Sequence, residues 1–228
     1  MNFSELRRGF LDIFPMTLAY APIAALWGSV AASKGLSPLE AVLMSAGVYS
    51  GAGQFVAMDL WATSMPLALF IFAIATVALR HVFMSASVSR HISGFPRWLA
   101  SVLLFWLTDE AWAMVERRAL TQPITVSYYV GVALPLWPIW ILFTGIGAVL
   151  AQAMGDSSHI GLDFAFAALF IAVLAGFWKG PKTAAILIAS SLFAVMGKIY
   201  LPGAWYILAG GIAGIVVAIV TYSKDRHQ

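Results

Sequence analysis

Ser45-Ala46-Gly47-Val48-Tyr49-Ser50-Gly51-Ala52-Gly53-Gln54-Phe55 lies inside a long apolar stretch, and it is too weak to be an ordinary membrane helix. Three glycines and two serines fall between Ser45 and Gly53, and each glycine costs a helix roughly 1 kcal/mol relative to alanine. Gln54 adds a polar side chain at membrane depth. A broken helix exposes N–H and C=O groups that lipid cannot satisfy, so it survives only against protein or a wet cavity. Transporters use such breaks to hold a substrate's charged groups. Close helix packing also wants small residues, and Gly47 and Gly51 have the spacing for it. Both uses stay open at this level. The reading taken forward is a discontinuity at Tyr49 to Gln54, with backbone facing a cavity shared with Arg80. Gly51-x-Gly53 is not a nucleotide fingerprint, because no strand precedes it and no third glycine follows.

Around this stretch the chain is apolar almost throughout. Of 228 residues, 61% are hydrophobic and 10% charged, against about 25% charged in a soluble domain. Mean hydropathy is +0.89. A spanning helix needs ~20 apolar residues, and Pro, Gly and polar boundaries divide the chain into eight such segments. They run about Gly9–Ser33, Pro38–Ser64, Pro66–Ile92, Trp98–Glu116, Ser127–Met154, Ile160–Trp178, Pro181–Ile199 and Ala204–Tyr222. The expected fold is an all-α, polytopic transmembrane helical bundle of six to eight spans, forming a single domain. Some helices are broken or kinked, at Pro15, Pro22, Pro135 and Pro138 among others. Arg7 and Arg8 ahead of an apolar stretch resemble a signal peptide. Asp12, Pro15 and Pro22 interrupt that stretch, so it reads as a retained first span.

Loop charges give the orientation. With eight spans and an inside N-terminus, Arg7, Arg8, Arg117, Arg118, Lys179, Lys182, Lys224 and Arg226 lie inside, while Lys34, Arg90, Arg97 and Lys198 lie outside. The ratio favours N-in, with Arg90 and Arg97 on the wrong side. The net charge of +3 comes from scattered loop residues, so nucleic acid is not a natural partner. The chain has no cysteine, which removes disulfides, thiolate metal sites and thiol nucleophiles.

Few residues inside the segments can carry chemistry. Arg80 and His81 sit within the third, where a charge costs several kcal/mol and is normally kept for a pathway or a partner. Arg80 suits a bidentate carboxylate, an ion pair with Asp109 or Glu110, or snorkelling to the interface. Asp109 and Glu110 project about 100° apart on a helix. One can pair with Arg80 and leave the other for an ammonium group or a proton. His81, His91, His159 and His227 share no ligand spacing, so neither metal nor cofactor is expected. Gly210-x-x-x-Gly214 suggests a helix contact, within the chain or with a partner. No catalytic constellation marks an enzyme.

Several of these stretches together resemble one family. Pro22 to Gly28, Ala31-Ala32-Ser33-Lys34-Gly35-Leu36-Ser37, Met44-Ser45 and Gly51-Ala52-Gly53-Gln54-Phe55 are similar to the N-terminal half of the AzlC family. Leu79-Arg80-His81 and Leu107-Thr108-Asp109-Glu110 look like two further signatures of it. The chain has Pro22-Ile23-Ala24 where the family commonly has Pro-Phe-Gly, and Ala78 where it has Asn. The resemblance implies a bacterial inner-membrane permease subunit, not an enzyme. It also implies export of branched-chain amino acids and a small, separately encoded AzlD-type membrane partner.

The expected function is therefore export of small apolar amino acids such as valine, leucine, isoleucine or methionine. Its candidate substrate-binding residues are Pro22, Tyr49, Ser50, Gly51, Gly53, Gln54, Arg80, His81, Asp109 and Glu110. In that reading Arg80 and the broken segment meet the carboxylate, and Asp109 or Glu110 meets the ammonium or a proton. An apolar pocket holds the side chain. The rival readings are a membrane-embedded enzyme using His81, Asp109 and Glu110 on a lipid-type substrate, and a structural subunit of a membrane complex.

Overall fold

A computed structural model of the chain describes residues 2–61, 67–154, 180–201 and 205–223, with Ile171, Leu174, Ala175 and Trp178 between them. The rest of the sixth segment and the loop from Gly155 to His159 lie outside the described residues. Every regular element among the described residues is helical. Two compact units divide the chain, Met1–Trp61 with Ala78–Leu162, and Ala62–Val77 with Asp163–Gln228.

The first unit is built on α1 (Phe3–Ser33), α7 (Val126–Ala133) and α8 (Leu136–Met154). Pro15 and Pro22 remain inside one continuous α1. Glycines let α1 and the α7–α8 pair touch backbone to backbone. Gly9 lies on Tyr128 and Gly131 lies on Leu6, while farther along Gly28 lies on Thr144 and Gly147 on Ala25. From the first cluster of contacts to the second the residue numbers rise on both partners, so the two run parallel. Both start at one face of the unit, here the Glu5 end, and finish at the other, the Lys34 end.

The stretch quoted at the outset is broken, and the break reverses the chain. At Lys34 and Gly35 α1 stops. Ser37 and Glu40 then form a reciprocal capping box, with Pro38 opening α2 (Pro38–Val48). Val42 lies against Gly145, Ser45 bonds Thr144, and the Trp137 indole donates to the Ala46 carbonyl. Descending numbers on α8 place α2 antiparallel to it, entering from the Lys34 end. Tyr49 follows in the left-handed region at φ 38°, and α3 (Gly51–Leu60) begins after Ser50. A straight continuation would put Gln54 about 13 Å along the axis from Ser45. Instead the Gln54 amide donates to Ser45 Oγ at 3.2 Å. Thus α2 and α3 form a helical hairpin that enters and turns back.

A second hairpin enters from the opposite face. In α4 (Leu67–Ser89), Arg80 pairs with Asp109 of α6 (Asp109–Ala119), and Ser87 donates to Glu116 of the same helix. The interval between the two contacts is equal on both helices, so α4 and α6 run parallel. His91, just past α4, bonds Glu116. The connecting α5 (Arg97–Phe105) must therefore run the other way, from the Glu116 level up to the Asp109 level. Its nine residues rise about 13 Å, under half of a ~30 Å hydrocarbon core. Arg118, within a turn of Glu116, pairs with Glu5. This hairpin therefore opens at the Glu5 end.

The second and fourth segments, expected as spans, are thus re-entrant hairpins, and this corrects the charge map. Arg90 and Arg97 now lie at the Glu5 end with Arg7, Arg8, Arg117 and Arg118. Lys34 is the sole cation at the other face of this unit's described residues. The anomaly of two arginines on the wrong side disappears, and the positive-inside rule assigns the Glu5 end to the cytoplasmic side. Among the described residues, four helices are long and apolar enough to cross a membrane: Phe3–Ser33, Phe70–Ser89, Val126–Met154 and Pro181–Tyr200.

In the second unit α9 (Pro181–Tyr200) packs antiparallel on α10 (Trp205–Ser223). Gly210 and Gly214 face Ser190, and the Ser190 hydroxyl donates to the Gly210 carbonyl at 2.9 Å. The Gly210-x-x-x-Gly214 stripe is used inside the chain and so does not point to a partner.

Single cysteines can be read without background in a chain that has none. Ser93→Cys and Thr121→Cys should both react with an impermeant maleimide from the cytoplasmic face, and Lys34→Cys only from the other. Labelling of Ser93→Cys and Thr121→Cys from opposite faces would show that α5 and α6 cross the membrane.

Candidate functional site

The two hairpin tips meet in the interior of the first unit. Tyr49 at the α2–α3 tip and Phe105 at the α5–α6 tip stand 6.3 Å apart between ring centroids. Trp106 stacks edge-on to Phe105 and to Trp137, at 5.9 and 6.1 Å. From α1, the Tyr20 hydroxyl donates to Glu110 at 3.0 Å, and the Tyr20 ring lies 5.4 Å from that of Trp140. Aromatic rings thus surround one carboxylate and two helix breaks.

The acids divide as two neighbours on a helix must. Asp109 takes the Arg80 guanidinium at 2.7 Å, and the pair is partly exposed. Glu110 is turned toward α1 and accepts from Tyr20, with no cationic partner. It also lies within electrostatic reach of Tyr49. His81 is half-buried beside the Arg80–Asp109 pair.

The helix ends differ in the same way. Thr108 caps α6 by accepting from Ala111 N–H, and Asp109 and Glu110 already face its positive end. The N-terminus of α3 has no side-chain cap. Ser50 Oγ and Tyr49 Oη are buried there without a hydrogen-bond partner in the protein, as is Trp106 Nε1 at the facing tip. Tyr49 is the only non-glycine residue with positive φ among the described residues. That conformation costs roughly 1–2 kcal/mol, and strain of this kind collects at functional sites. Hydroxyls and an open helix N-terminus suit an anion, and Glu110 suits a cation.

Gln54 behaves otherwise than expected. It is fully buried, donates to Ser45, and accepts from the Trp140 indole at 2.9 Å. Ser45 in turn bonds Thr144 at 2.9 Å. This satisfied network pins α3 to α2 and α8, and it does not join Gln54 to Arg80. Gly51 lies against the Trp140 ring and Gly53 is buried, so both serve packing at the tip. Pro22 is exposed; two residues on from Tyr20, it points away from Glu110. The shared cavity of Gln54 and Arg80 is replaced by two neighbouring clusters. Tyr20, Phe105, Trp106 and Trp140 were not singled out from sequence, because aromatic residues in an apolar chain read first as belt or core.

The sequence over this region matches a known family model. Residues 15–154 fit the model described as AzlC protein, a range that takes in both hairpins and the α1–α8 seam. The chain belongs to the AzlC family. It is 28% identical to the inner membrane protein YgaZ of Escherichia coli (strain K12), over 93% of this chain and 89% of that one. An uncharacterized membrane protein of Archaeoglobus fulgidus is 29% identical over 76% of each chain. One from Helicobacter pylori (strain J99) is 24% identical over 97% of this chain and 98% of its own. No solved structure matches. With the helices above, these likenesses make the chain a multi-pass membrane protein.

Two substitutions test the clusters separately. Gln54→Leu removes bonds to Ser45 and Trp140 and leaves both polar groups buried, which should cost about 2 kcal/mol. The expected reading is an earlier loss of the monodisperse peak on heating in detergent. Arg80→Ala and Asp109→Ala should each lower that midpoint more than the double substitution does, since a lone charge at membrane depth is worse than none. Additive losses would show that the pair is not coupled.

Proposed function

We propose that this chain is the larger subunit of a permease that exports small apolar amino acids, with valine, leucine, isoleucine and methionine as its substrate class. The observation that carries the reading is the meeting of the hairpin tips. An uncapped helix N-terminus with two unpartnered hydroxyls faces a carboxylate that has no cation. A zwitterion supplies the complement of both: its carboxylate goes to Ser50, Tyr49 and the α3 N–H groups, its ammonium to Glu110. Phe105, Trp106 and Trp140 give the aliphatic side chain an apolar wall. Arg80, held by Asp109, sets the charge around this site and is not the first contact for the carboxylate. His81 stands behind it. A small AzlD-type membrane subunit completes the permease in this reading, on the family likeness alone. The cytoplasmic membrane of a bacterial-type cell is where such a permease works.

A membrane-embedded enzyme acting on lipid would need its acids and His81 to converge, yet Asp109 is held by Arg80 and Glu110 by Tyr20. A structural subunit would not need strained, unpartnered groups between two hairpins.

Efflux of labelled valine or leucine from proteoliposomes containing the chain and its co-expressed small partner tests the reading. Glu110→Gln should abolish flux while the protein stays folded, because glutamine still accepts from Tyr20. Tyr49→Phe should lower substrate affinity several-fold without lowering heat stability, since the hydroxyl it removes has no partner in the protein. Wild-type flux in both variants at equal protein would refute the site. Absence of flux with wild-type protein and partner, together with turnover of a lipid, would favour the enzyme.

A further inference from the structure

A groove of about 630 Å³ runs along the first unit between the start of α1 and the α7–α8 junction, away from the hairpin tips. Its walls are apolar: Phe3, Leu6 and Phe10 on one side, Leu134, Pro138 and Ile139 on the other. Pro135 and Pro138 line it at the junction where α7 ends and α8 begins. One charged residue, Arg7, stands in the lining. It has no hydrogen-bond or ion-pair partner, whereas the neighbouring Arg8 donates to Gln122. Phe3, Arg7 and Phe10 share one face of α1 by their three- and four-residue spacing.

We infer that this groove binds one anionic phospholipid of the cytoplasmic leaflet, with its phosphate on Arg7 and an acyl chain along the groove. The dimensions fit. Arg7 is level with Val130 and Gly131, and from there to Ile139 the helix rises about 13 Å. Half of a ~30 Å hydrocarbon core is about 15 Å, so the groove runs the depth of one leaflet. The chemistry fits as well. The cation lies at the positive end, where lipid headgroups are, and everything deeper is hydrocarbon-like. A guanidinium takes a phosphate bidentately, and a free anion would leave the apolar length unused. A wholly apolar helix of another subunit would fill the length but leave Arg7 without a counter-charge.

Native mass spectrometry of the full chain released from nanodiscs tests this. Wild type should retain one phosphatidylglycerol several-fold more than phosphatidylcholine. Arg7→Gln should abolish the preference, and Arg8→Gln, with the same charge loss outside the groove, should keep it. Ile139→Trp, which fills the deep end, should lower retention of both lipids. Equal retention of the two lipids by wild type would overturn the site. So would equal effects of Arg7→Gln and Arg8→Gln, which indicate diffuse charge. A dimer that is lost in Ile139→Trp would show instead that a second copy covers the groove. These readouts do not use transport, so their failure leaves the substrate site untouched.

Discussion

Everything in the first unit is measured from the backbone contact between α1 and the α7–α8 pair. Gly9, Gly28, Gly131 and Gly147 are the points of approach, and a Cβ at any of them would collide with backbone of the facing helix. Collision with backbone cannot be relieved by turning a side chain, so these positions fix both spacing and register. In lipid there is no hydrophobic drive between helices, and association relies on close packing through small residues. The register chosen by the glycines puts Tyr20 beside Trp140. A shift by one turn would part the Tyr20 and Trp140 rings.

Two hairpins are then attached to this seam by different chemistry. Neutral hydrogen bonds from Ser45, Gln54, Thr144 and Trp140, all buried, hold α2–α3. Such bonds suit the Lys34 end, where the described residues of this unit offer little charge. Charged groups hold α5–α6: Asp109 by Arg80, Glu116 by His91, Arg118 by Glu5. Arg118 also stacks on Tyr128 at 3.9 Å, and Tyr128 donates to Asp12. The same arginines that anchor this hairpin contribute to the cytoplasmic charge excess. Fold and orientation thus share residues.

Much of this was legible in the sequence, and what was not has a physical reason. The break at Tyr49 and Ser50 showed itself through glycine and serine, because helix propensity is local. That one of Asp109 and Glu110 would pair with Arg80 while the other pointed elsewhere followed from helix geometry; which one did not. The return of the chain after each break was hidden. A hairpin of two short helices has the same length and hydropathy as one span, so Pro38–Ser64 and Trp98–Glu116 looked like crossings. One signal did point the other way: Arg90 and Arg97 disagreed with the orientation that the other loops favoured. Gln54 was read correctly as interior, but its partners are Ser45 and Trp140, distant in sequence and invisible to spacing. The glycine seam was missed because Gly9, Gly28, Gly131 and Gly147 form no motif within a single helix.

The tips themselves are joined far more weakly than the legs that carry them. Across the gap stand a ring contact between Tyr49 and Phe105 and the field of Glu110, whereas each hairpin is tied to its surroundings by two or more buried or charged bonds. Aromatic pairs contribute about 1 kcal/mol, less than breaking a buried polar network would cost. Any opening between the two faces therefore costs least at the tips. That is also where strain at Tyr49 and unpartnered groups at Ser50 and Trp106 raise the energy of the empty protein. A ligand that satisfies those groups and bridges Glu110 gains what the closed tips lack. Because one hairpin opens to each face, such a ligand sits between two short barriers of about half a bilayer each. On the proposed permease reading, alternating access needs only that one tip yield while the other holds.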